Sequence, residues 1–276
     1  MPSDADKARS EVRVLVLTGL GLNCEDETAQ GFRMCGAQAE LVHLSDMLEN
    51  GRAKLSDYQV IAMIGGFSFG DHIAGGVVYA NRLRYRMFDD LLRFVSDGGL
   101  VLGICNGFQT MVKLGLLPGL DGRYGEQCVT LTANDRLGYR DAWVQVKADP
   151  DSPCVWTRGI DRMDLPARHG EGKFLTKDAA LLERLQKDRL IAVRYVDEEG
   201  SPTQAWPANP NGSPDAVAGI CDPTGRLFGL MPHPDAYLYG FNHPQWGRMK
   251  LEGRLESRGE GLKIFQNGVD HAAGLR

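Results

Sequence analysis

Residues 100–114, LVLGICNGFQTMVKL, decide the fold of this 276-residue chain. The first five residues are apolar and predict a buried strand, whereas the apolar spacing from Phe108 onward is that of a helix. Between them stands Gly103-Ile104-Cys105-Asn106-Gly107, a cysteine with a glycine two positions before it and another two positions after it. A strand that passes into a helix through so short a joint predicts an α/β protein with a parallel sheet.

The same alternation extends outward from this stretch. Apolar runs predict further strands at residues 12–17, 39–44, 60–64, 143–146, 191–195, 216–220 and 227–231. Helical spacing is found at residues 25–35, 83–95, 179–186 and 262–269. We therefore expect an open, mostly parallel sheet covered by helices on both faces. We interpret residues 11–276 as one domain and residues 1–10 as a flexible N-terminal tail.

Composition excludes several classes of protein. Lys and Arg number 31 against 36 Asp and Glu, so a net charge of −5 gives no basic field for nucleic acid. No apolar stretch reaches the ~18 residues of a membrane helix, and the polar N-terminus does not have the pattern of a signal peptide. The six cysteines form no C-x-x-C pair and have no zinc spacing. We expect a cytoplasmic protein with reduced thiols and no metal site.

The Gly-x-Cys-x-Gly joint has the pattern of a nucleophile elbow. On so sharp a turn the neighbours two positions away come close together, which favours glycine, and the sulfur stands clear of the sheet. The start of the following helix stabilises a thiolate, and the N–H of Asn106 is placed to donate to an oxyanion. The alternative is a buried, inert cysteine at a strand end, because the pattern is short.

A nucleophilic cysteine needs a base, and His233 is the strongest candidate among six histidines. It follows an apolar run and stands in Pro232-His233-Pro234-Asp235, where Asp235 can orient the imidazole ring. His243 also precedes a proline but has no carboxylate two positions later. A loop histidine without catalytic role remains the alternative for His233.

A third element is the glycine-rich stretch Gly65-Gly66-Phe67-Ser68-Phe69-Gly70-Asp71, which follows a predicted strand. Ligands of open parallel sheets bind outside the carboxyl ends of the strands, so this loop, Cys105 and His233 can meet at one edge. Glycine-rich backbone at such a place offers N–H groups to an anion or a tetrahedral oxygen.

Seven segments together resemble a known family. They are Gly21-Leu22-Asn23-Cys24, Gly65 to Asp71, Gly103-Ile104-Cys105-Asn106-Gly107-Phe108-Gln109, Leu116-Leu117-Pro118-Gly119, His169-Gly170-Glu171-Gly172-Lys173-Phe174, Pro207-Ala208-Asn209-Pro210-Asn211-Gly212-Ser213 and Met231-Pro232-His233-Pro234. In this order they resemble the class I (triad-type) glutamine amidotransferases, and in particular the PurQ-type glutaminase component of phosphoribosylformylglycinamidine synthase.

The resemblance implies a flavodoxin-like fold and hydrolysis of the glutamine side-chain amide through a thioester on Cys105. His233 would be base and acid, with Asp235 behind it. Gly66, Phe67 and Asn106 would supply the oxyanion hole, and Gln109 would belong to the glutamine-binding set. Ammonia would pass to a PurL-type synthetase, accompanied by a small PurS-type subunit. ATP and Mg²⁺ would be used by that partner and no cofactor by this chain.

One residue departs from the family pattern, which is usually His-Pro-Glu where this chain has His233-Pro234-Asp235. The shorter side chain requires either a closer backbone or a longer hydrogen bond to the histidine. Two rival interpretations remain. A different cysteine hydrolase or a chaperone-like protein would share the elbow but has no reason to have the glycine-rich loop. A subunit that has lost glutaminase activity has no reason to keep Cys105 and His233.

Overall fold

The computed structural model describes residues 3–275, which form a nine-stranded sheet and a separate two-stranded one. In chain order the strands are β1 (Arg13–Thr18), β2 (Gln38–His43), β3 (Val60–Met63), β4 (Leu100–Ile104), β5 (Val129–Thr132), β6 (Arg140–Ala148), β7 (Arg162–His169), β8 (Lys173–Thr176), β9 (Val193–Tyr195), β10 (Val217–Cys221) and β11 (Leu227–Leu230). The α-helices are α1 (Asp4–Ser10), α2 (Glu25–Met34), α3 (Leu44–Asn50), α4 (Val77–Ser96), α5 (Asn106–Leu114), α6 (Ala179–Lys187), α7 (Trp246–Leu251) and α8 (Leu262–Ala272).

The main sheet has a parallel half and an antiparallel half. Its strand order is β2-β1-β3-β4-β11-β10-β9-β6-β7, and the first five strands run parallel. Every residue of β3 and β4 is buried, because helices cover both faces of a parallel sheet and only a continuous apolar run suits such a strand. The predicted α/β fold with a flavodoxin-like sheet is confirmed, and the strands beyond β11 are antiparallel.

The helices pack in groups against the sheet. Helix α5 lies over β3, β4 and β11 and packs against α4. Helix α2 packs against β1, β2 and α8, where the rings of Phe32 and Phe265 meet edge to face with centroids 4.9 Å apart. Gly31 makes this approach possible, since a Cβ there would lie 3.0 Å from the Phe265 ring. The helix that begins at Asn106 is thus held under the carboxyl ends of three neighbouring strands.

The antiparallel half curls back toward the parallel half. Although β7 is the last strand in the sheet order, Ala167 near its end forms a bridge with Pro232, just beyond β11. The N–H of His233 donates to the carbonyl of Pro166 at 2.7 Å. The carboxyl ends of β4, β11 and β7 therefore lie side by side, which places three separate parts of the sequence at one edge.

The N-terminal residues differ from the predicted flexible tail. Residues 4–10 form α1, whose start is capped by Ser3 and Asp6, each bonding to the backbone of the other. The guanidinium of Arg9 donates to Asp270 of α8 at 2.7 Å. The capping box and this ion pair give a short polar segment a fixed place that apolar periodicity cannot reveal. Residues 1 and 2 of the predicted tail lie outside the described residues.

Candidate active site

Cys105 occupies the turn between β4 and α5 with φ +50° and ψ −105°, a backbone conformation that is strained for a residue with a side chain. The two flanking glycines make the turn possible. A Cβ on Gly107 would lie 1.9 Å from the carbonyl oxygen of Met63, and one on Gly103 would lie 2.4 Å from Sδ of Met111. The structure therefore has the turn that the Gly-x-Cys-x-Gly pattern predicts, for the steric reason that the pattern implies.

The thiol of Cys105 is 5% exposed and lies between the ends of three strands. Its backbone N–H donates to Leu230 of β11 at 2.8 Å, and its Sγ donates to the carbonyl of Arg168 in β7 at 3.5 Å. The N–H of Asn106 is the first of α5, so the helix itself has no acceptor for it. The sulfur is thus held at a helix N-terminus beside an amide that is free of helical bonding.

His233 and Asp235 form a buried pair directly after β11. Nδ1 of His233 lies 3.2 Å from Oδ1 of Asp235, and both side chains are almost fully buried. Burial by itself lowers the pKa of His233, but the negative charges of Asp235 and Cys105 outweigh this and hold the pKa well above its usual 6.5. The pair can therefore take up a proton from a thiol and keep the imidazolium stabilised.

The shorter carboxylate is accommodated by the local backbone. Residues Pro234–Ala236 form one turn of 3₁₀ helix that brings Asp235 back under the ring of His233. A distance of 3.2 Å is at the long end of ordinary N–H···O hydrogen bonds. The distance is consistent with the longer hydrogen bond that is one of the two alternatives predicted for the shorter side chain.

His243, the competing histidine, has other partners. Its Nε2 lies 3.4 Å from a carboxylate oxygen of Asp164, and its ring packs edge to face on Trp143 with centroids 4.8 Å apart. These contacts place the His243 side chain in a packed aromatic cluster. By contrast, Cys105 contributes to the raised pKa of His233.

The glycine-rich loop lies against the segment that follows β1. Leu22 and Gly66 form an antiparallel bridge, in which the N–H of Phe67 donates to the carbonyl of Gly21 at 2.7 Å. Gly66 has φ +132°, and a Cβ there would lie 2.7 Å from Cα of Leu22, so only glycine fits. In this conformation the N–H of Phe67 is already engaged by the carbonyl of Gly21.

Asn106 and Gln109 belong to a hydrogen-bond network behind Cys105. The side-chain amide of Asn106 donates to Asp71 and to Oε1 of Gln109, both at 2.8 Å, and its oxygen accepts from the N–H of Ser68 at 3.4 Å. The other end of Gln109 donates to the carbonyl of Glu171 at 2.7 Å. Both ends of the Gln109 amide are thus bonded within the protein, and its predicted contact with glutamine stays a prediction.

The sequence motifs around His169 and Asn211 build a second buried network whose role the sequence did not reveal. Nδ1 of His169 lies 3.2 Å from Oδ1 of Asn134, and its Nε2 lies 3.5 Å from the amide of Asn211. Burial, with a smaller contribution from His233, lowers the pKa of His169 to about 3, so its ring is neutral. This network supports the end of β7, whose Arg168 carbonyl contacts Sγ of Cys105.

Two cavities are candidates for a ligand site. One of about 640 Å³ adjoins Asp235 and Arg168 at the carboxyl edge of the sheet. Another of about 840 Å³ is lined by Gln59 and Leu100, at the amino ends of β3 and β4. Ligands of open α/β sheets bind beyond the carboxyl ends of the strands, which favours the Cys105 side for a ligand.

Comparison with known proteins agrees with this geometry. A family model described as a CobB/CobQ-like glutamine amidotransferase domain matches residues 11–272. A phosphoribosylformylglycinamidine synthase subunit PurQ from Methanococcus maripaludis is 42% identical over 271 residues, covering 94% of this chain and 97% of the relative. The chain belongs to the PurQ family of glutamine amidotransferases. The family predicted from the sequence motifs is therefore confirmed.

Other members and a solved structure agree with the family and the fold. PurQ subunits from Dehalococcoides mccartyi and Archaeoglobus fulgidus are 41% and 37% identical, each covering 95% of this chain and 98% of the relative. The structure of PurLQS from Thermotoga maritima contains a chain with a TM-score of 0.68 at 24% identity, with coverage of 95% of this chain and 99% of that one. Within residues 3–275, every helix is too short or too polar to cross a lipid bilayer.

Proposed function

We propose that this chain is the glutaminase subunit of phosphoribosylformylglycinamidine synthase, which releases ammonia from glutamine for a synthetase in purine biosynthesis. The observation that carries the proposal is Cys105 on its strained turn, with His233 and Asp235 beside it. Membership of the PurQ family supports the same reaction and the same physiological role.

The first half of the reaction forms a thioester. His233 accepts the proton of the Cys105 thiol, and the sulfur attacks the side-chain carbonyl carbon of glutamine. The C–N bond then breaks, and His233 returns the proton to the leaving nitrogen, which departs as ammonia. Asp235 keeps the ring oriented and stabilises the imidazolium in between.

The second half consumes water. His233 removes a proton from a water molecule that attacks the thioester carbonyl, and the same proton returns to the sulfur as the C–S bond breaks. Glutamate leaves and the Cys105 thiol is restored. No metal ion and no nucleotide takes part in these steps on this chain.

The oxyanion hole is proposed to form from the N–H groups of Asn106 and of the Gly66–Phe67 segment. The first is placed at the start of α5, whereas the N–H of Phe67 is bonded to Gly21. The hole is therefore incomplete until the Phe67 peptide rotates, which the glycines at 65 and 66 permit.

We therefore expect the isolated chain to have a low glutaminase activity that rises when the synthetase binds. The physical reason is that the partner must stabilise the rotated peptide, and loss of a single oxyanion donor costs roughly 10²–10³-fold in kcat. The measurement is kcat for glutamine hydrolysis with and without saturating synthetase. A chain that turns over at the full rate alone would contradict this expectation.

The partners are proposed to be a PurL-type synthetase and a small PurS-type subunit. The synthetase would use ATP and Mg²⁺ to convert the formylglycinamide ribonucleotide amide into an amidine with the ammonia supplied here. Cytoplasmic location is part of the same proposal, as is the interpretation of residues 11–276 as a single amidotransferase domain.

Reconstitution tests the proposed function. The purified chain is mixed with a PurL-type synthetase, its small subunit, ATP, Mg²⁺ and the ribonucleotide substrate, and product is measured with glutamine or with ammonium as the nitrogen source. Glutamine-dependent product that requires this chain supports the proposal. Product from ammonium alone, with glutamine inactive in the presence of the chain, would overturn it.

A diazo-ketone analogue of glutamine is expected to label the chain once, at Cys105. Burial raises the pKa of Cys24, Cys35 and Cys128, that of Cys35 to about 12, so these thiols are poor nucleophiles at neutral pH. Peptide mapping by mass spectrometry locates the adduct. Label found chiefly on another cysteine would refute the assignment of the nucleophile, and excess glutamine is the competition control.

A further inference from the structure

Cys24 stands behind the catalytic pair, in the loop that leads from β1 to α2. Its Sγ, a ring nitrogen of His233 and a carboxylate oxygen of Asp235 all lie within 4.8 Å of one another. Gly65 makes room for this meeting, since a Cβ there would lie 2.7 Å from Cε1 of His233 and 3.2 Å from Sγ of Cys24. His233 and Asp235 have roles in the proposed glutaminase reaction, whereas the Cys24 thiol has none.

These three groups are a ligand set with a definite metal preference. Thiolate, imidazole and carboxylate are the ligands of Zn²⁺ and similar borderline-soft cations, whereas Mg²⁺ and Ca²⁺ prefer oxygen ligands alone. Zinc–ligand bonds of roughly 2.0–2.3 Å put tetrahedral ligands about 3.5 Å apart, so only a small inward movement of the Cys24 side chain is needed.

The two ring nitrogens of His233 face different partners. Nε2 is buried, has no hydrogen-bond partner within the described part of the chain, and is the nitrogen left for the proton of Cys105. Nδ1 contacts Asp235 and lies on the side of Gly65 and Cys24, so a cation beside Cys24 meets this nitrogen. Cys24 is only partly buried, which leaves a way in from solvent.

We propose that Cys24, His233 and Asp235 form an inhibitory site for a borderline-soft divalent cation such as Zn²⁺. On binding, the thiol of Cys24 and the ring nitrogen of His233 that faces Asp235 each lose a proton to solvent, and metal–sulfur and metal–nitrogen bonds form with no change of oxidation state. The cation binds His233 and Asp235 together, so His233 can no longer accept the proton of Cys105. Cys105 itself does not bind the cation. Removal of the cation by a chelator restores the contact between His233 and Asp235.

The inhibition rests on the proposed glutaminase function, but the binding site does not, so the decisive test measures binding. Co²⁺ is the probe, because a cobalt–thiolate bond adds a near-ultraviolet charge-transfer absorption. Titrations are made with the whole chain, in the wild type and in Cys24→Ala, Asp235→Asn and Cys105→Ala. Cys128→Ala is the matched control, since Cys128 is another partly buried thiol. Mg²⁺ in excess tests selectivity.

The expected result is a charge-transfer band in the wild type that persists in Cys105→Ala and Cys128→Ala and disappears in Cys24→Ala. Competition with Zn²⁺ should give at least a tenfold weaker affinity in Cys24→Ala and Asp235→Asn, because even outer partners of a metal site contribute roughly 10–100-fold. Mg²⁺ should not displace the probe. A wild type without the band, or a band lost in Cys105→Ala and kept in Cys24→Ala, would overturn the proposal.

Glutaminase assays separate this inference from the proposed function. Cys24→Ala should hydrolyse glutamine as the wild type does and be at least tenfold less sensitive to Zn²⁺. Equal zinc sensitivity of both proteins would place the metal on Cys105 and His233 and contradict the site. A chain that binds cobalt through Cys24 yet never hydrolyses glutamine would instead reject the proposed function and leave the metal site standing.

Discussion

Cys105→Ala is expected to abolish glutamine-dependent synthesis while leaving ammonium-dependent synthesis by the partner intact. The thioester needs a sulfur at this one position, and removal of the nucleophile from a comparable triad costs roughly 10⁶-fold in kcat. The substitution removes one atom from a site whose turn is set by Gly103 and Gly107, so the fold is expected to survive. Product formation is measured with each nitrogen source under saturating synthetase.

The ammonium arm is the control for folding and for assembly with the synthetase. If Cys105→Ala lost both activities, the loss would reflect a failed complex, and Cys105→Ser would be tested in its place. Undiminished glutamine hydrolysis by Cys105→Ala would contradict the assignment and direct attention to Cys24, the thiol that lies beside His233.

His233→Ala is expected to lose roughly 10²–10⁴-fold in kcat/KM for glutamine, the range that general acid–base catalysis contributes. Asp235→Asn should lose clearly less. The reason is that Asp235 orients the ring and stabilises its charge across a 3.2 Å contact but exchanges no proton with substrate. A cysteine also depends less than a serine on its base, because a thiol is far more acidic than a hydroxyl.

The comparison is made for both variants at equal saturation with the synthetase, with Asp235→Glu as the control that restores the more usual family residue. Asp235→Glu should retain activity if the turn at Pro234–Ala236 yields to one more methylene. An Asp235→Asn variant as inactive as Cys105→Ala would mean that the carboxylate does more than orient the imidazole.

The turn at Cys105 and the contact between His233 and Asp235 could be predicted because their signals are local. The steric reason for glycine at 103 and 107 acts within one turn, and β4 has the bounds that its apolar run predicts. His233 and Asp235 are two positions apart, so their contact follows from a single turn of chain. These features could be predicted because the residues that form them are close together in the sequence.

Features that depend on long-range contacts could not be predicted. Strand β7 contains Pro166 and several charged residues and does not resemble a strand, yet it pairs with β6 along its length. Strands β5 (Val-Thr-Leu-Thr) and β8 (Lys-Phe-Leu-Thr) each contain two polar residues, so they lack the continuous apolar run that marks the equally short β3 and β11. The bond from Phe67 to Gly21, and the meeting of Cys24 with His233, join segments whose spacing in sequence contains no information about their contact.

The hydrogen bond from His233 to Pro166 has a consequence for the newly made protein. Cys105 belongs to the parallel half, whereas His233 is held by a strand of the antiparallel half. Cys105 and Pro166 both precede His233 in the chain, so during synthesis a ribosome adds Cys105 and all of β7 before His233 emerges. An unfinished polypeptide therefore has the Cys105 thiol without the His233 imidazole beside it.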